Sequence, residues 1–185
     1  MLTQTLLDAP IIHWGDYYYF IHQITDGVPE LVSALLTEIA DRIIELTGAG
    51  VDKIDKIATI ESMGIPIGTA LSFATRIPLV IIRKRKYELP GEIAVHQSTG
   101  YSKEELYLNG IEKGDRVMVV DDVISTGGTI KAVIQALKLA GALMCDVVAI
   151  IERGEGAQDL RRGWSNLKPN APYAERSTYV AGLRH

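Results

Sequence analysis

Asp121 and Asp122 stand side by side behind four apolar residues, Val117–Val120, and Ser125, Thr126, Gly127, Gly128 and Thr129 follow. Two adjacent carboxylates can hold a cation or accept hydrogen bonds from sugar hydroxyls. The glycines let the backbone take positive φ and approach a ligand closely. The hydroxyls and the backbone N–H groups of a helix start suit an anion such as phosphate. Behind them Ile130, Val133, Ile134 and Leu137 recur at helical spacing. The stretch therefore reads as a buried strand, a polar turn and a helix, which is the ligand end of a parallel α/β unit. A polyol on one side and a phosphate on the other point to a phosphorylated ribose. No G-x-x-x-x-G-K-[ST] occurs, which argues against a nucleoside-triphosphate P-loop.

The pattern recurs upstream. Ile57–Ile60 is a short apolar run, Glu61, Ser62, Met63 and Gly64 follow it, and Ile65–Phe73 reads as a helix with the small residues Gly68 and Ala70. Taken alone this is an ordinary strand-to-helix turn; beside the first stretch it is a second anion nest. A third strand, Pro78–Ile82, runs into Arg83, Lys84, Arg85 and Lys86, then Tyr87–Glu92 with Pro90-Gly91. Four consecutive cations are either a solvated face or a mobile loop that closes over a polyphosphate. Beyond the apolar stretch of Asp146–Ile151 stands Arg153, at a ligand-end position, whose side chain donates hydrogen bonds only and is either a ligand contact or an exposed loop arginine. His22 and Gln23, behind the aromatic run Tyr17–Phe20, offer further edges for a base or are simply surface residues.

These motifs carry a resemblance. Val117–Thr129 resembles the phosphoribosyl-pyrophosphate (PRPP) binding motif of type I phosphoribosyltransferases. Glu61–Gly64 resembles their pyrophosphate loop. Arg83–Glu92 resembles the catalytic loop of the adenine-type enzymes, R-K-x-G-K-L-P-G-E, with a one-residue insertion before Lys86 and Glu88. The likeness spans Pro10–Gly163 and is greatest to the archaeal-type hypoxanthine/guanine enzymes. It implies transfer of a 5-phosphoribosyl group from PRPP to a purine, hypoxanthine first and guanine second, with release of pyrophosphate. It implies magnesium, held by Asp121 and Asp122 directly or through ribose hydroxyls and water. Asp121, Asp122, Arg83, Lys84 and Lys86 then fall in catalytic positions, and Glu61–Gly64 and Ser125–Thr129 in PRPP-binding ones. Arg153 matches a lysine that contacts the base in xanthine-type relatives, with His22 and Gln23 as further base contacts. A homodimer is implied, with Arg83 or Lys84 reaching the neighbouring subunit. One departure stands out: Ser125 replaces the aspartate that faces the base in the animal-type enzymes, leaving Glu88 and Glu92 as candidate acid/base groups. The alternatives are an adenine phosphoribosyltransferase, or a PRPP-sensing transcriptional regulator on the same fold.

The rest of the chain must position these groups. At 185 residues and 47% hydrophobic, it is expected to form a single domain with an ample core. A net charge of −4 gives no basic footprint for nucleic acid. One cysteine, Cys145, allows no internal disulfide, fits a reducing cytoplasm, and reads as an apolar filler. Met1–Pro10 lacks the features of a signal peptide, and no apolar run approaches the ~20 residues that span a bilayer. Ile11–Trp14 and Tyr17–Ile21 around Gly15-Asp16 predict a hairpin, and Glu92–Gln97 and Tyr101–Leu108 around Ser98–Gly100 a second. Pro29 opens a predicted amphipathic helix whose face is Leu31, Leu35, Ile39, Ile43 and Leu46. Asp159–Arg162 reads as a short helix and Thr178–Ala181 as the one apolar stretch of the tail. The expected fold is α/β, a mainly parallel twisted sheet flanked by helices. By resemblance it is the type I phosphoribosyltransferase fold, with a small hood from residues 1–28 and 152–185.

Overall fold

In the computed structural model, residues 1–14, 17–28, 30–98, 103–167 and 179–180 are described. Five parallel strands form the central sheet: β3 (Lys56–Ile60), β4 (Leu79–Ile82), β7 (Arg116–Ile124), β8 (Leu143–Glu152) and β9 (Tyr179–Val180), in the order β4-β3-β7-β8-β9. Their apolar runs are continuous because both faces are covered. One face packs on α5 (Gly128–Leu139): Ala58, Val117, Val119, Val147 and Ala149 meet Ile130, Val133 and Leu137. The other packs on α3 (Ser33–Thr47) and α4 (Gly64–Thr75): Ile57, Met118, Val120, Val148 and Ile150 meet Leu35, Ile39, Ile67 and Leu71. Each such fully buried side chain contributes roughly 1.5–3 kcal/mol, so these two clusters carry the fold. The helices behind β3 and β7 leave on opposite faces, so the carboxyl ends of those two strands form a topological switch point, the usual place for a ligand in an α/β sheet.

Two antiparallel hairpins flank the sheet, β1 (Ile11–Trp14) with β2 (Tyr17–Phe20) and β5 (Ile93–Ser98) with β6 (Lys103–Leu108). Both match the sequence expectation. Their turns at Gly15-Asp16 and Thr99-Gly100, and the aromatic side chains of β2, lie outside what is described, as do Pro29 and most of the tail.

Several boundaries differ from expectation. Helix α3 begins at Ser33, with Val32 extended before it. Strand β7 does not stop before the acids: it continues through Asp121 and Asp122 to Ile124, because β8 pairs with it all the way to Glu152. α1 (Leu2–Leu7) and α2 (Gln23–Asp26) are additional, and α6 spans Gly156–Leu167 rather than Asp159–Arg162. Leu2 anchors α1 in the second cluster, and the Glu38 carboxylate accepts from the Leu2 backbone N–H. Cys145 is half-buried beside that cluster. Among the described residues no helix is long and apolar enough to cross a membrane.

Candidate functional site

The loops singled out in the sequence all leave the carboxyl ends of adjacent strands, β4, β3, β7 and β8. Asp121 lies deepest, 7% exposed. Its Oδ1 accepts the Asp122 backbone N–H at 3.1 Å. Burial pushes its carboxyl well above the usual range, and the Asp122 charge adds to this. Burial also raises Asp122, and the charge of Asp26 adds a smaller push in the same direction. No cation of the described residues pairs with either acid. Two close carboxylates without a counter-charge are the electrostatic signature of a place where a cation or a polyhydroxyl ligand belongs.

The Glu61–Gly64 loop presses directly on this pair. A Cβ on Gly64 would overlap Thr59 Oγ1 and come within 3.0 Å of Asp121 Oδ1, so only glycine lets the start of α4 lie against the acid. Thr59 in turn donates to the Val120 carbonyl at 2.8 Å, tying β3 to β7 beneath it. The Glu61–Ser62 peptide is cis. Glu61 forms an ion pair with Arg83, which joins the loop to the cationic segment. As the sequence suggested for Gly68, a Cβ there would meet Leu79 and Thr59, so α4 packs tightly on the sheet.

Ser125–Thr129 forms the turn into α5, with Gly127 at φ 75° as its N-cap. Thr126 Oγ1 accepts the Gly128 N–H at 3.4 Å. The turn rests on Gly156, a residue the sequence did not single out. Gly156 donates its N–H to the Ser125 carbonyl at 3.0 Å. A Cβ there would overlap the Ser125 carbonyl and the Thr126 and Gly127 backbone. Its only sequence signal is a glycine at the start of a helix, too common to be informative.

The segment after β4 is better ordered than its charge suggests. Arg83 and Tyr107 exchange backbone hydrogen bonds at 3.1 and 2.7 Å. Arg83 and Arg85 lie 5.9 and 5.7 Å from the Tyr87 ring centre, within cation–π reach. Lys86 pairs with Glu88 at 3.2 Å, and both, like Lys84, are exposed. The Glu92 carboxylate accepts from Asn109 Nδ2 and from the Tyr87 and Glu88 N–H groups.

The three predicted base contacts separate. Arg153 is exposed just beyond β8, its N–H donated to the Ile124 carbonyl at 2.9 Å, which sets it at the carboxyl end of the sheet beside the end of β7. Gln23 lies in α2, and its buried Oε1 lacks a partner among the described residues. The C-cap of α2, Gly27, sits beside Met63, where a Cβ would be 3.6 Å from Met63 Cε. His22 is a correction. It is 2% exposed, its Nδ1 accepts the Ile24 N–H, and its Nε2 faces Thr5 Oγ1 at 3.1 Å. Thr5 Oγ1 donates onward to the Leu2 carbonyl, so the ring proton sits on Nε2. Burial lowers its pKa, and Asp26 opposes this more weakly. A neutral imidazole with both nitrogens used inside the chain is an N-cap that ties α2 to α1, not a base contact.

Among the described residues no group of three or more acidic, histidine or cysteine side chains gathers. Asp121 and Asp122 alone suit magnesium of the kind that keeps water and substrate oxygens as its remaining ligands.

Comparison with known proteins accords with this geometry. Residues 30–178 match the model of the phosphoribosyl transferase domain. The hypoxanthine/guanine phosphoribosyltransferase of Methanocella paludicola is 60% identical over 159 residues, 86% of this chain and 82% of that protein. The protein of the same name from Methanothrix thermoacetophila is 58% identical over 168 residues, 91% of this chain and 87% of that one. Among solved structures, the adenine phosphoribosyltransferase of Thermoanaerobacter pseudethanolicus superposes with a TM-score of 0.74 at 19% identity, covering 98% of this chain and 99% of that one, a likeness of fold. With a family model and relatives of this identity covering most of its length, the chain belongs to the phosphoribosyl transferase family.

Proposed function

We propose that this protein transfers the 5-phosphoribosyl group of PRPP to hypoxanthine, and next to guanine, releasing pyrophosphate in purine salvage. The observation that carries the reading is the uncompensated pair of the buried Asp121 and the half-buried Asp122, set between two glycine-bearing loops. The relatives' names, hypoxanthine/guanine phosphoribosyltransferase, support the choice of base.

The residues divide the work. Ser125–Thr129 hold the 5-phosphate with backbone N–H groups and hydroxyls, so that binding energy far from the reacting carbon orients the sugar. Asp121 and Asp122 accept from the 2- and 3-hydroxyls. As the C1–O bond to pyrophosphate breaks, positive charge grows on the ribose and these fixed carboxylates favour it. The Glu61–Gly64 backbone, Arg83, Lys84 and Lys86 receive the negative charge that moves onto pyrophosphate. A purine ring nitrogen bonds to C1 and its proton leaves. Arg153 donates to the 6-oxygen, with Gln23 beside the base. Magnesium, when bound with the substrate at Asp121 and Asp122, supplies charge neutralisation for pyrophosphate and ribose oxygens. Closure of the Lys84–Glu92 segment keeps water from the activated sugar. We read the working form as a cytoplasmic homodimer, on family resemblance.

The test is direct. Purified protein is incubated with PRPP, magnesium and each of hypoxanthine, guanine, xanthine and adenine, and nucleotide formation is followed. Hypoxanthine is expected to react fastest. No product with any base would sink the reading, and preference for adenine would sink the role of Arg153.

A further inference from the structure

The cationic segment has a fixed anchor in the acid at its far end. Glu92 sits where the segment rejoins β5, and one of its oxygens, Oε1, accepts the Glu88 N–H at 3.1 Å. The other, Oε2, accepts the Tyr87 N–H at 3.0 Å and Asn109 Nδ2 at 2.9 Å. Asn109 directly follows β6. One carboxylate thus grips the tip of the segment from inside and fastens it to the β5–β6 hairpin. The near end is fastened to the same hairpin by the backbone exchange between Arg83 and Tyr107. Glu88, one of the two N–H donors, holds a positive φ of 58°, a conformation that a non-glycine residue keeps only when its surroundings enforce it. The exposed cations lie on the arm between these two fastenings.

From this geometry we infer that Glu92 is a positioning residue: with Asn109 it clasps the cationic segment in a folded turn and so holds the arm that carries Lys84–Lys86 next to the Arg83–Glu61 pair. The inference rests on the proposed transferase reading for its catalytic consequence, but not for the clasp itself. It also assigns the Glu92 carboxylate a task other than proton transfer. Three N–H donors already occupy it, and these hydrogen bonds hold its pKa below the usual value, which makes it a poorer base.

Three variants separate the roles. Glu92→Ala removes the grip. Asn109→Asp sets two carboxylates against each other and breaks it by repulsion. The double variant Glu92→Gln with Asn109→Asp rebuilds part of it with the donor reversed: the new amide oxygen takes the place of Oε1 and accepts the Glu88 N–H, and the NH2 takes the place of Oε2 and donates to the carboxylate introduced at position 109, while the Tyr87 N–H loses its acceptor. Two readouts are used, trypsin cleavage after residues 83–86 in the native protein, and steady-state kinetics with PRPP and hypoxanthine. E92A and N109D are expected to be cut about tenfold faster, as local opening becomes easier. Their KM for PRPP is expected to rise about tenfold, and that for hypoxanthine to change little. The double variant is expected to be cut more slowly than either single variant and to regain part of the PRPP affinity. Wild-type cleavage rates in E92A would overturn the clasp, whatever the activity. A double variant that is cut slowly yet inactive would overturn the positioning role in favour of a carboxylate needed for proton transfer. A wild-type enzyme that forms no nucleotide would fail the functional reading alone and leave the cleavage result standing.

Discussion

The two ends of strands β3 and β7 both carry acids, and they treat them in opposite ways. At the amino end every acid is answered. Asp55 takes a two-pronged contact from Arg116 at 2.8 and 2.7 Å plus the Arg116 backbone N–H, and its pKa is lowered to about 2, chiefly by the Arg116 side chain. Asp115 meets Lys56 at 2.7 Å and is also lowered, with Lys56 the main cause. At the carboxyl end, less than one strand-length away, the buried Asp121 and the half-buried Asp122 are both raised. One end spends its charges on holding strands in register. The other pairs Glu61 with Arg83 but leaves Asp121 and Asp122 with no cation among the described residues, at a cost to the folded protein. On the proposed reading a ligand answers that pair, and the direction of the pKa shift then divides structural from ligand-binding acids along β7.

Variants at the two ends should therefore give opposite results. Asp121→Asn or Asp122→Asn should lower kcat for nucleotide formation by about a thousandfold, the upper range for losing a group that stabilises developing charge. The same variants should melt at an unchanged or higher temperature, because an uncompensated buried charge has been removed. Melting well below wild type would mean that these acids stabilise the fold, and the contrast would fail.

A smaller effect at the same end, with no charge altered, is expected from Gly156→Ala. The new methyl group overlaps the Ser125–Gly127 backbone and shifts the turn, so KM for PRPP should rise on the order of tenfold. Unchanged PRPP binding would show that the turn can move aside freely. The smallest effect belongs to the amino end. Asp55→Asn should leave kinetics alone and cost about 0.5–1 kcal/mol at neutral pH, the scale for a partly exposed pair. Because the folded pKa of Asp55 is depressed from 3.8 to about 2, its contribution is full above about 4 and fades as the pH falls toward 2. The gap in melting temperature between wild type and variant should narrow over that range; a gap independent of pH would assign the loss to something other than the ion pair.

Legibility in the sequence followed the range of the forces involved. The strand–turn–helix units at Ile57–Phe73 and Val117–Leu137 could be read because apolar runs, glycines and hydroxyls act within a few residues of each other. The carboxyl limit of β7 could not, since only pairing with β8 draws Asp121 and Asp122 into the ladder. The role of His22 was hidden for the same reason: its partner Thr5 lies on a short helix that exists through contact of Leu2 with the second core cluster. Gly156 depends on a steric contact with a turn some thirty residues earlier. The contacts of the Arg83–Glu92 segment escaped a reading of charge because they are made at its two ends, by the Arg83–Tyr107 backbone exchange and by the Glu92 carboxylate.

The ladder between β7 and β8 runs on past both acids, pairing Asp121 with Ala149, Val123 with Ile151 and Ile124 with Glu152. Arg153 is the first residue beyond it, hung from Ile124 by its backbone N–H. On the proposed reading, the sugar-facing acids are locked into a lattice of paired backbone and the base-facing arginine is attached at its rim. A different side chain at position 153 would then change the choice of heterocycle without disturbing the ladder that holds the two acids.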